Sequence, residues 1–232
     1  MKKETLCVQS GYNPKSGDPR VTPIVQSTTY YYEKAQDLAD LFDLKSPGHI
    51  YSRLSNPTNQ VLEEKVAALE GGTNAIACAS GQSATLMSIL NVCSSGDNII
   101  SSSCIYGGTY NLFSVTLKKF GIETRFIEPT ASIEEIEKLI DDNTKLVFAE
   151  TIANPALVVL DFDLYKSICQ KYGLLFFVDN TLATPYLCNP KEFGANIVIH
   201  SSSKYLDGHA VALGGIAVSY THLRAHETLR HL

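Results

Sequence analysis

The chain has 232 residues, of which 44% are hydrophobic and 19% charged, and its formal net charge is -5. This length and apolar content are enough for one large domain with a substantial core. The acidic balance offers no electrostatic attraction for nucleic acid or an anionic membrane, and no stretch reaches the roughly 18 apolar residues of a membrane span. The six cysteines are scattered without a Cys-x-x-Cys pair, and no apolar segment follows the basic start, so we expect an unexported cytoplasmic protein.

The first part of the chain, residues 1–56, is polar, interrupted by prolines and rich in tyrosine, which predicts an extended N-terminal arm rather than a core. From Pro57 onward, strand and helix patterns alternate. Apolar residues at helical spacing predict a helix over residues 57–70 that ends at Gly71-Gly72. The next predicted elements are strand 75–79, helix 83–92, strand 98–102, helix 109–120 and strand 123–127.

The second half of the pattern begins with a capping box, Ser132 to Glu135, which opens a helix. Its apolar face is predicted to carry Ile133, Ile136, Leu139 and Ile140. Strand 145–149, helix 161–172, strand 174–178, strand 196–200 and strand 215–218 follow. Strands that are apolar throughout and separated by helices are typical of a parallel sheet covered on both faces. The sequence therefore predicts a doubly wound α/β domain over residues 57–218, with a mostly parallel sheet.

The alternation stops after residue 218. Residues 219–232 hold three of the six histidines and are expected to form a tail outside the domain. His222 and His226 are four residues apart, a spacing that can bind a metal ion on a helix. Because no third ligand accompanies them, we predict no metal site.

Two polar residues follow predicted strands where a parallel sheet would bring them to the same edge. Lys204 comes after the strand ending at His200, behind three serines, and Asp179 follows the strand 174–178. Ligands bind at the carboxyl edge of such sheets. A lysine among small hydroxyls can form a Schiff base with an aldehyde cofactor whose phosphate the hydroxyls hold. A surface lysine that opens the next loop is the alternative interpretation.

Three other strand ends carry polar or aromatic groups. Ser80-Gly81-Gln82 opens a predicted helix and can bind an anion through its backbone N–H groups, or can be a plain glycine turn. Glu150 and Asn154 offer a carboxylate and an amide, or cap a turn. Tyr106, before two glycines, can stack on a planar ligand or belong to the core.

These motifs, in this order, resemble the pyridoxal-phosphate enzymes of cysteine and methionine metabolism, the trans-sulfuration group of fold type I. The resemblance covers about residues 5–218. It is carried by Tyr51-Ser-Arg53 with Asn56-Pro-Thr58, Leu69-Glu-Gly-Gly72, Ser80-Gly-Gln82, Tyr106-Gly-Gly-Thr109, Glu150 with Asn154-Pro155, Val178-Asp-Asn-Thr181, and Ser201-Ser-Ser-Lys-Tyr205 with Gly208-His209.

The resemblance implies pyridoxal 5'-phosphate as cofactor and assigns the reactive groups. Lys204 would carry the cofactor and then move protons at the substrate. Asp179 would pair with the pyridine nitrogen, so that the ring accepts the electrons of a carbanion. Tyr106 would stack on the ring and assist proton transfer at the leaving group, and Asn154 would donate to the ring hydroxyl.

The phosphate ligands are implied in the same way. Gly81 and Gln82 would offer backbone N–H groups, and Ser201 and Ser203 would add hydroxyls. Tyr51 and Arg53 of the arm would reach the phosphate in a neighbouring subunit. An arm that crosses an interface implies a homo-oligomer, for this family commonly a dimer of dimers.

Within the family, Ser80-Gly-Gln82 and the run from Tyr106 to Phe113 are more similar to O-acetylhomoserine sulfhydrylases than to γ-lyases. This similarity implies replacement of the acetate of O-acetyl-L-homoserine by sulfide or a thiol, giving homocysteine or methionine. A γ-lyase or a cystathionine synthase or lyase of the same family is the alternative. Both reactions need an amino-acid substrate, a mobile lysine amine and an electron sink.

Three departures from the family pattern matter, and one of them is the tail from Ser219 onward, which is expected not to match the family. Ser202 and Ser203 stand where the family often has alanine or threonine followed by threonine. The family's smaller C-terminal domain, which supplies an arginine for the substrate carboxylate, is expected to be absent from this chain. A catalytically incomplete fragment that retains the cofactor site therefore stays open. A nucleotide-binding module is disfavoured, because neither Gly-x-Gly-x-x-Gly after a strand nor Gly-x-x-x-x-Gly-Lys occurs.

Overall fold

A computed structural model describes residues 1–220 and contains one seven-stranded sheet. The strands are β1 (Asn74–Cys78), β2 (Asn98–Ser102), β3 (Glu123–Ile127), β4 (Thr144–Glu150), β5 (Leu175–Asp179), β6 (Ile197–His200) and β7 (Gly215–Ser219). Their order across the sheet is β1-β7-β6-β5-β4-β2-β3. All neighbouring pairs from β6 to β3 are parallel, and β7 is antiparallel to both β1 and β6. The predicted doubly wound, mostly parallel α/β fold is confirmed.

Helices cover both faces of this sheet. They are α1 (Lys3–Gln9), α2 (Ala35–Phe42), α3 (Pro57–Glu70), α4 (Gly81–Val92), α5 (Gly107–Asn111), α6 (Leu117–Lys119), α7 (Ile133–Glu137), α8 (Phe162–Tyr172) and α9 (Thr184–Leu187), with a π-helical turn at Leu112–Thr116 and a 3₁₀ helix at Pro190–Phe193. None of the helices within residues 1–220 has both the length and the apolar character to span a bilayer.

The core is split by the sheet into two apolar layers. Consecutive strand residues go to opposite layers: Val147 packs in the layer of α3, α7 and α8, whereas Leu146 and Phe148 pack in the layer of α4, α5 and α6. A strand whose two faces are both buried has no polar alternation to show. This is why the predicted strands are apolar throughout.

Most predicted elements have their expected place, with three differences in extent. The helix expected at residue 83 begins at Gly81, because Ser80 serves as its N-cap. The helix predicted over residues 109–120 is divided by the π-helical turn. Helix α7 ends at Glu137, so Leu139 and Ile140 lie in the turn that follows it, where they still pack against the core.

The ends of the described chain are more structured than expected. Residues 1–56 contain α1 and α2, and Lys65 of α3 donates to the carbonyl oxygens of Cys7 and Val8, so α1 is tied to the domain. Ser219 belongs to β7, where it is paired with Asn74, and Tyr220 packs on the core. Ser219 and Tyr220 therefore pack with the sheet, and the boundary expected at residue 218 stays a prediction. The division at residue 56 stays a prediction, and His222 and His226 lie outside the described residues.

A buried polar cluster ties the end of α3 to the ends of β5 and β6. Glu70 Oε1 accepts hydrogen bonds from His200 Nε2 at 2.7 Å and from Asn180 Nδ2 at 3.0 Å. Glu70 Oε2 accepts from Asn189 Nδ2 at 3.3 Å. Glu70, Asn180 and His200 are each at most 1% exposed. A carboxylate buried this deeply is tolerated only because its oxygens are hydrogen-bonded.

Removing this carboxylate should destabilise the fold strongly. We expect Glu70→Ala to lower the free energy of unfolding by about 3 to 5 kcal/mol, because it leaves the buried His200 Nε2 without its acceptor and removes one of the two acceptors of the Asn180 and Asn189 amides. Urea denaturation measures this loss. Glu64→Ala is the matched control, since Glu64 lies on the same helix but is exposed, and it should change stability by less than about 0.5 kcal/mol. Equal effects of the two substitutions would contradict the structural role of the cluster.

Candidate active site

A cavity of about 190 Å³ opens at the carboxyl ends of β4, β5 and β6. It brings together most of the residues predicted from the sequence, although these come from distant parts of the chain. Its lining residues are Ser80, Gly81, Gln82, Tyr106, Thr109, Glu150, Ile152, Asn154, Asp179, Thr181, Leu182, Ser201, Lys204 and Leu213. This is the edge at which ligands bind in open α/β sheets.

One wall of the cavity is the N-terminus of α4, which is built to receive an anion. Ser80 caps this twelve-residue helix: its Oγ accepts from Ser83 N at 3.1 Å, and Ser83 Oγ accepts from Ser80 N at 2.8 Å. Within the described part of the chain, the N–H groups of Gly81 and Gln82 have no hydrogen-bond partner. Free N–H groups and the positive end of the helix dipole together attract a phosphate.

Gly81 allows this helix end to approach the loop after β6. A Cβ atom at position 81 would lie 2.7 Å from Ser201 Cβ and 2.8 Å from Ser201 Cα. Both distances are shorter than van der Waals contact, so only glycine fits without a shift. The close approach places the Ser201 hydroxyl group beside the N-terminus of α4, where both line the cavity.

The opposite wall carries an acid at the end of β5. Asp179 Oδ1 accepts from the backbone N–H of Thr181 at 2.9 Å, and Thr181 Oγ1 accepts from Ser201 N at 2.8 Å. Burial raises the pKa of Asp179, while the hydrogen bonds from Thr181 and the charges of His200 and Lys204 lower it. Burial is the largest of these effects and the pKa of Asp179 is raised, so a cationic group in the cavity would favour its ionised form.

Lys204 follows β6 in a turn and has a free amine. Its backbone N–H donates to Ser201 O at 3.3 Å, and its carbonyl oxygen accepts from Gly208 N at 2.9 Å. Among residues 1–220, its Nζ makes no hydrogen bond or ion pair. The amine is therefore available to a ligand in the cavity that it lines.

Three further polar side chains complete the lining. Tyr106 is 49% exposed and follows β2, so its ring is open to the cavity. Gln82 Nε2 donates to Thr109 Oγ1 at 2.9 Å, which fixes the glutamine side chain over α5. Asn154 lies in the loop after β4, held by its backbone N–H, which donates to Glu150 Oε2 at 3.1 Å.

Three predicted site residues do not line the cavity. The hydroxyl group of Ser203 accepts from Gly214 N at 2.8 Å and donates to Gly214 O at 3.2 Å, so it closes the loop between β6 and β7 and does not face the cavity. Tyr51 and Arg53 lie in the arm, where the Arg53 guanidinium is 5.4 Å from the centre of the Tyr51 ring. The cavity of this chain is therefore formed without its own arm.

Sequence reasoning gave no role to two polar lining residues, Thr109 and Thr181, and left Glu150 as a carboxylate that either serves the site or caps a turn. Each of them occurs inside a motif that carried the resemblance, so the signal was present. The motifs did not indicate why a threonine is needed at these positions. In the structure, Thr109 and Thr181 accept hydrogen bonds from other site residues. Such contacts join residues 20 or more positions apart, which no local pattern reveals.

The close approach at Gly81 makes a specific prediction. Gly81→Ala should lower the free energy of unfolding by about 1 to 3 kcal/mol, because the overlap with the Ser201 backbone outweighs the helix propensity gained. Gly107→Ala is the matched control: it also lies at a helix start, and its Cβ would meet no atom within 4 Å. Chemical denaturation of the two variants tests the difference. A Gly81→Ala protein as stable as Gly107→Ala would refute the tight packing.

Comparison with known proteins identifies the family. The model of the family described as Cys/Met metabolism PLP-dependent enzyme matches residues 4–231. The match continues past residue 218, where we expected the resemblance to end. The homocysteine/cysteine synthase of Saccharomyces cerevisiae is 48% identical over 200 residues, which are 86% of this chain and 45% of the yeast protein. The O-acetyl-L-homoserine sulfhydrylase of Leptospira meyeri is 42% identical over 221 residues, 94% of this chain and 49% of that protein.

Solved structures agree with this result. A Campylobacter jejuni protein assigned as an O-acetylhomoserine (thiol)-lyase, with N'-pyridoxyl-lysine-5'-monophosphate, has a TM-score of 0.91 and 40% identity, and the match covers 100% of this chain and 57% of that one. Cystathionine γ-lyase from Lactobacillus plantarum has a TM-score of 0.88 and 32% identity, with 98% of this chain and 57% of that one covered. The chain spans about half the length of the curated relatives it matches. It belongs to the Cys/Met metabolism family of enzymes that depend on pyridoxal 5'-phosphate.

Proposed function

We propose that the protein to which this chain belongs replaces the acetate of O-acetyl-L-homoserine with sulfide or a thiol, releasing acetate and forming homocysteine or methionine. The observation that carries the proposal is the cavity itself, which combines a free lysine amine, a half-buried acid and unpartnered N–H groups at a helix start. The relatives named as sulfhydrylases and homocysteine synthases, at 42% and 48% identity, support the substrate class.

The residues of the cavity fit pyridoxal phosphate. The N–H groups of Gly81 and Gln82, with the Ser201 hydroxyl, would hold the phosphate. Asp179 would pair with the pyridine nitrogen, and Asn154 would donate to the ring hydroxyl. When bound, the cofactor supplies an electron sink for carbanion chemistry at the substrate's α carbon.

Lys204 and Tyr106 would carry out the proton transfers of the reaction. Replacement at the γ carbon needs a proton removed from the α carbon and then from the β carbon before acetate leaves. The Lys204 amine would take and return these protons, since it is exposed and has no competing partner in residues 1–220. The ring of Tyr106 would stack on the cofactor, and its hydroxyl group would assist proton transfer at the leaving group.

The arm suggests how copies of the protein assemble. Tyr51 is 40% exposed, and Arg53 has no carboxylate partner within the residues that the structure describes. We propose that both reach the cofactor phosphate of a neighbouring subunit in a homo-oligomer, a dimer of dimers. All six cysteines are free thiols, which supports the proposal of a reducing, cytoplasmic location.

Chemical trapping tests the cofactor assignment. Incubation with pyridoxal phosphate, borohydride reduction and peptide mass mapping should find a pyridoxyl adduct on Lys204, because its amine is free beside the predicted phosphate site. Lys204→Ala should lose the adduct. Lys118→Ala should keep it, since Lys118 is an exposed lysine on α6. Folded wild-type protein without an adduct on Lys204 would refute the assignment.

Product analysis then tests the reaction. With O-acetyl-L-homoserine, acetate release should require sulfide and should be matched by homocysteine. Release of acetate with 2-oxobutyrate and ammonia in the absence of sulfide would instead identify a γ-lyase, the alternative that the cystathionine γ-lyase neighbour favours. A chain that forms the Lys204 adduct but releases no acetate under either condition would be a catalytically incomplete fragment.

A further inference from the structure

One buried carboxylate in the cavity wall has no role in the proposed binding of the cofactor or in the proposed proton transfers. Glu150 is the last residue of β4 and is 8% exposed. Its Oε1 accepts from the backbone N–H of Tyr106 at 2.8 Å, and its Oε2 accepts from the backbone N–H of Asn154 at 3.1 Å. No lysine, arginine or histidine pairs with it in the described residues. One side chain thus binds two separate loops, the one after β2 and the one after β4.

These two hydrogen bonds hold the backbone of the two loops at Tyr106 and Asn154 themselves. Within residues 1–220, neither N–H group has another acceptor. Tyr106 is the residue just before α5, so its N–H lies outside the hydrogen-bond pattern of that helix. Because each backbone is fixed next to the Cα atom, the direction in which the Tyr106 ring and the Asn154 amide leave the main chain depends on Glu150.

We propose that Glu150 is a positioning residue that sets the Tyr106 ring and the Asn154 side chain against the cofactor by binding both backbones with one carboxylate. This inference rests on the proposed function, in which Tyr106 and Asn154 contact the cofactor. Each oxygen of Glu150 accepts from one backbone N–H, so the role that the contacts assign to it is to hold the two loops.

The position requires a carboxylate. A glutamine has the same shape but only one acceptor oxygen, and its NH₂ group would face the second backbone N–H, donor against donor. Burial and the charge of Asp179 raise the pKa of Glu150 to about 7, while the two backbone hydrogen bonds lower it. Glu150 and Asp179 are register partners on adjacent strands. A cation that pairs with Asp179 would therefore favour the ionised Glu150 that accepts both hydrogen bonds.

The experiment compares Glu150→Gln with Glu135→Gln. Glu135 Oε2 accepts a single backbone N–H, from Ser132, on the exposed start of α7, so the oxygen of a glutamine can replace it. The two substitutions are chemically identical and differ in the number of N–H groups served, two against one, and in burial. For each protein, equilibrium dialysis measures the affinity for pyridoxal phosphate, and visible circular dichroism measures the asymmetry of the cofactor's surroundings.

We expect Glu150→Gln to bind pyridoxal phosphate about tenfold more weakly than wild type, with a reduced visible dichroism band per bound cofactor. Glu135→Gln should equal wild type in both measurements. A loss of stability alone would weaken binding without changing the band of the cofactor that is bound. If Glu150→Gln matches Glu135→Gln in affinity and band, the positioning role is wrong while the proposed function stands. If wild type also fails to bind, the proposed function itself fails.

A second measurement uses the wild-type protein alone, so it does not depend on whether the substituted proteins fold. Amide hydrogen exchange of the wild-type protein should show the N–H groups of Tyr106 and Asn154 protected at least about tenfold, since each donates to a buried acceptor. Protection of both amides supports the two-loop contact. Rapid exchange at either amide would overturn it, whatever the variants show.

Discussion

The parallel alignment of β4, β5 and β6 is the constraint on which the rest of the site depends. Glu150 is paired in register with Asp179, and Asp179 with Ile199, so the three strands end side by side. Residues that follow them in the chain must then emerge at one edge. This alignment brings together an acid at the end of β5, a lysine four residues beyond β6 and the loop after β4, although they lie up to 54 positions apart in sequence.

The cavity holds acidic and positive groups at separate places, and a bound cofactor would pair with both. Two carboxyl groups, Glu150 and Asp179, lie on adjacent strands, and burial raises the pKa of both. The positive charge in the cavity comes from the Lys204 amine and from the N-terminus of α4. A ligand with a protonated ring nitrogen and a phosphate would complement this arrangement at both ends, because the proposed site has the nitrogen beside the acid and the phosphate beside the free N–H groups.

The sequence predicted the framework of the site more completely than its details. Apolar runs and their glycine stops located every strand, and polar residues after the strands indicated Lys204, Asp179 and Gly81. The resemblance placed Ser203 at the phosphate, and this role stays a prediction, because its hydroxyl group exchanges hydrogen bonds with the backbone of Gly214 in this structure. The contact of Glu150 with Tyr106 crosses 44 positions. Only the assembled sheet makes it visible.

The alternation of side chains along a strand links the cavity to the buried cluster behind it. Glu150 and Asp179 line the cavity, so the next residues, Thr151 and Asn180, point to the opposite side. There Thr151 Oγ1 donates to Asn180 Oδ1 at 2.8 Å, and Asn180 Nδ2 donates to Glu70. Each strand end is therefore held from both sides, by the loop contacts in front and by the Glu70 cluster behind. A site residue held in this way keeps its direction, whereas the Lys204 amine is exposed and has no hydrogen-bond or ion-pair partner within residues 1–220.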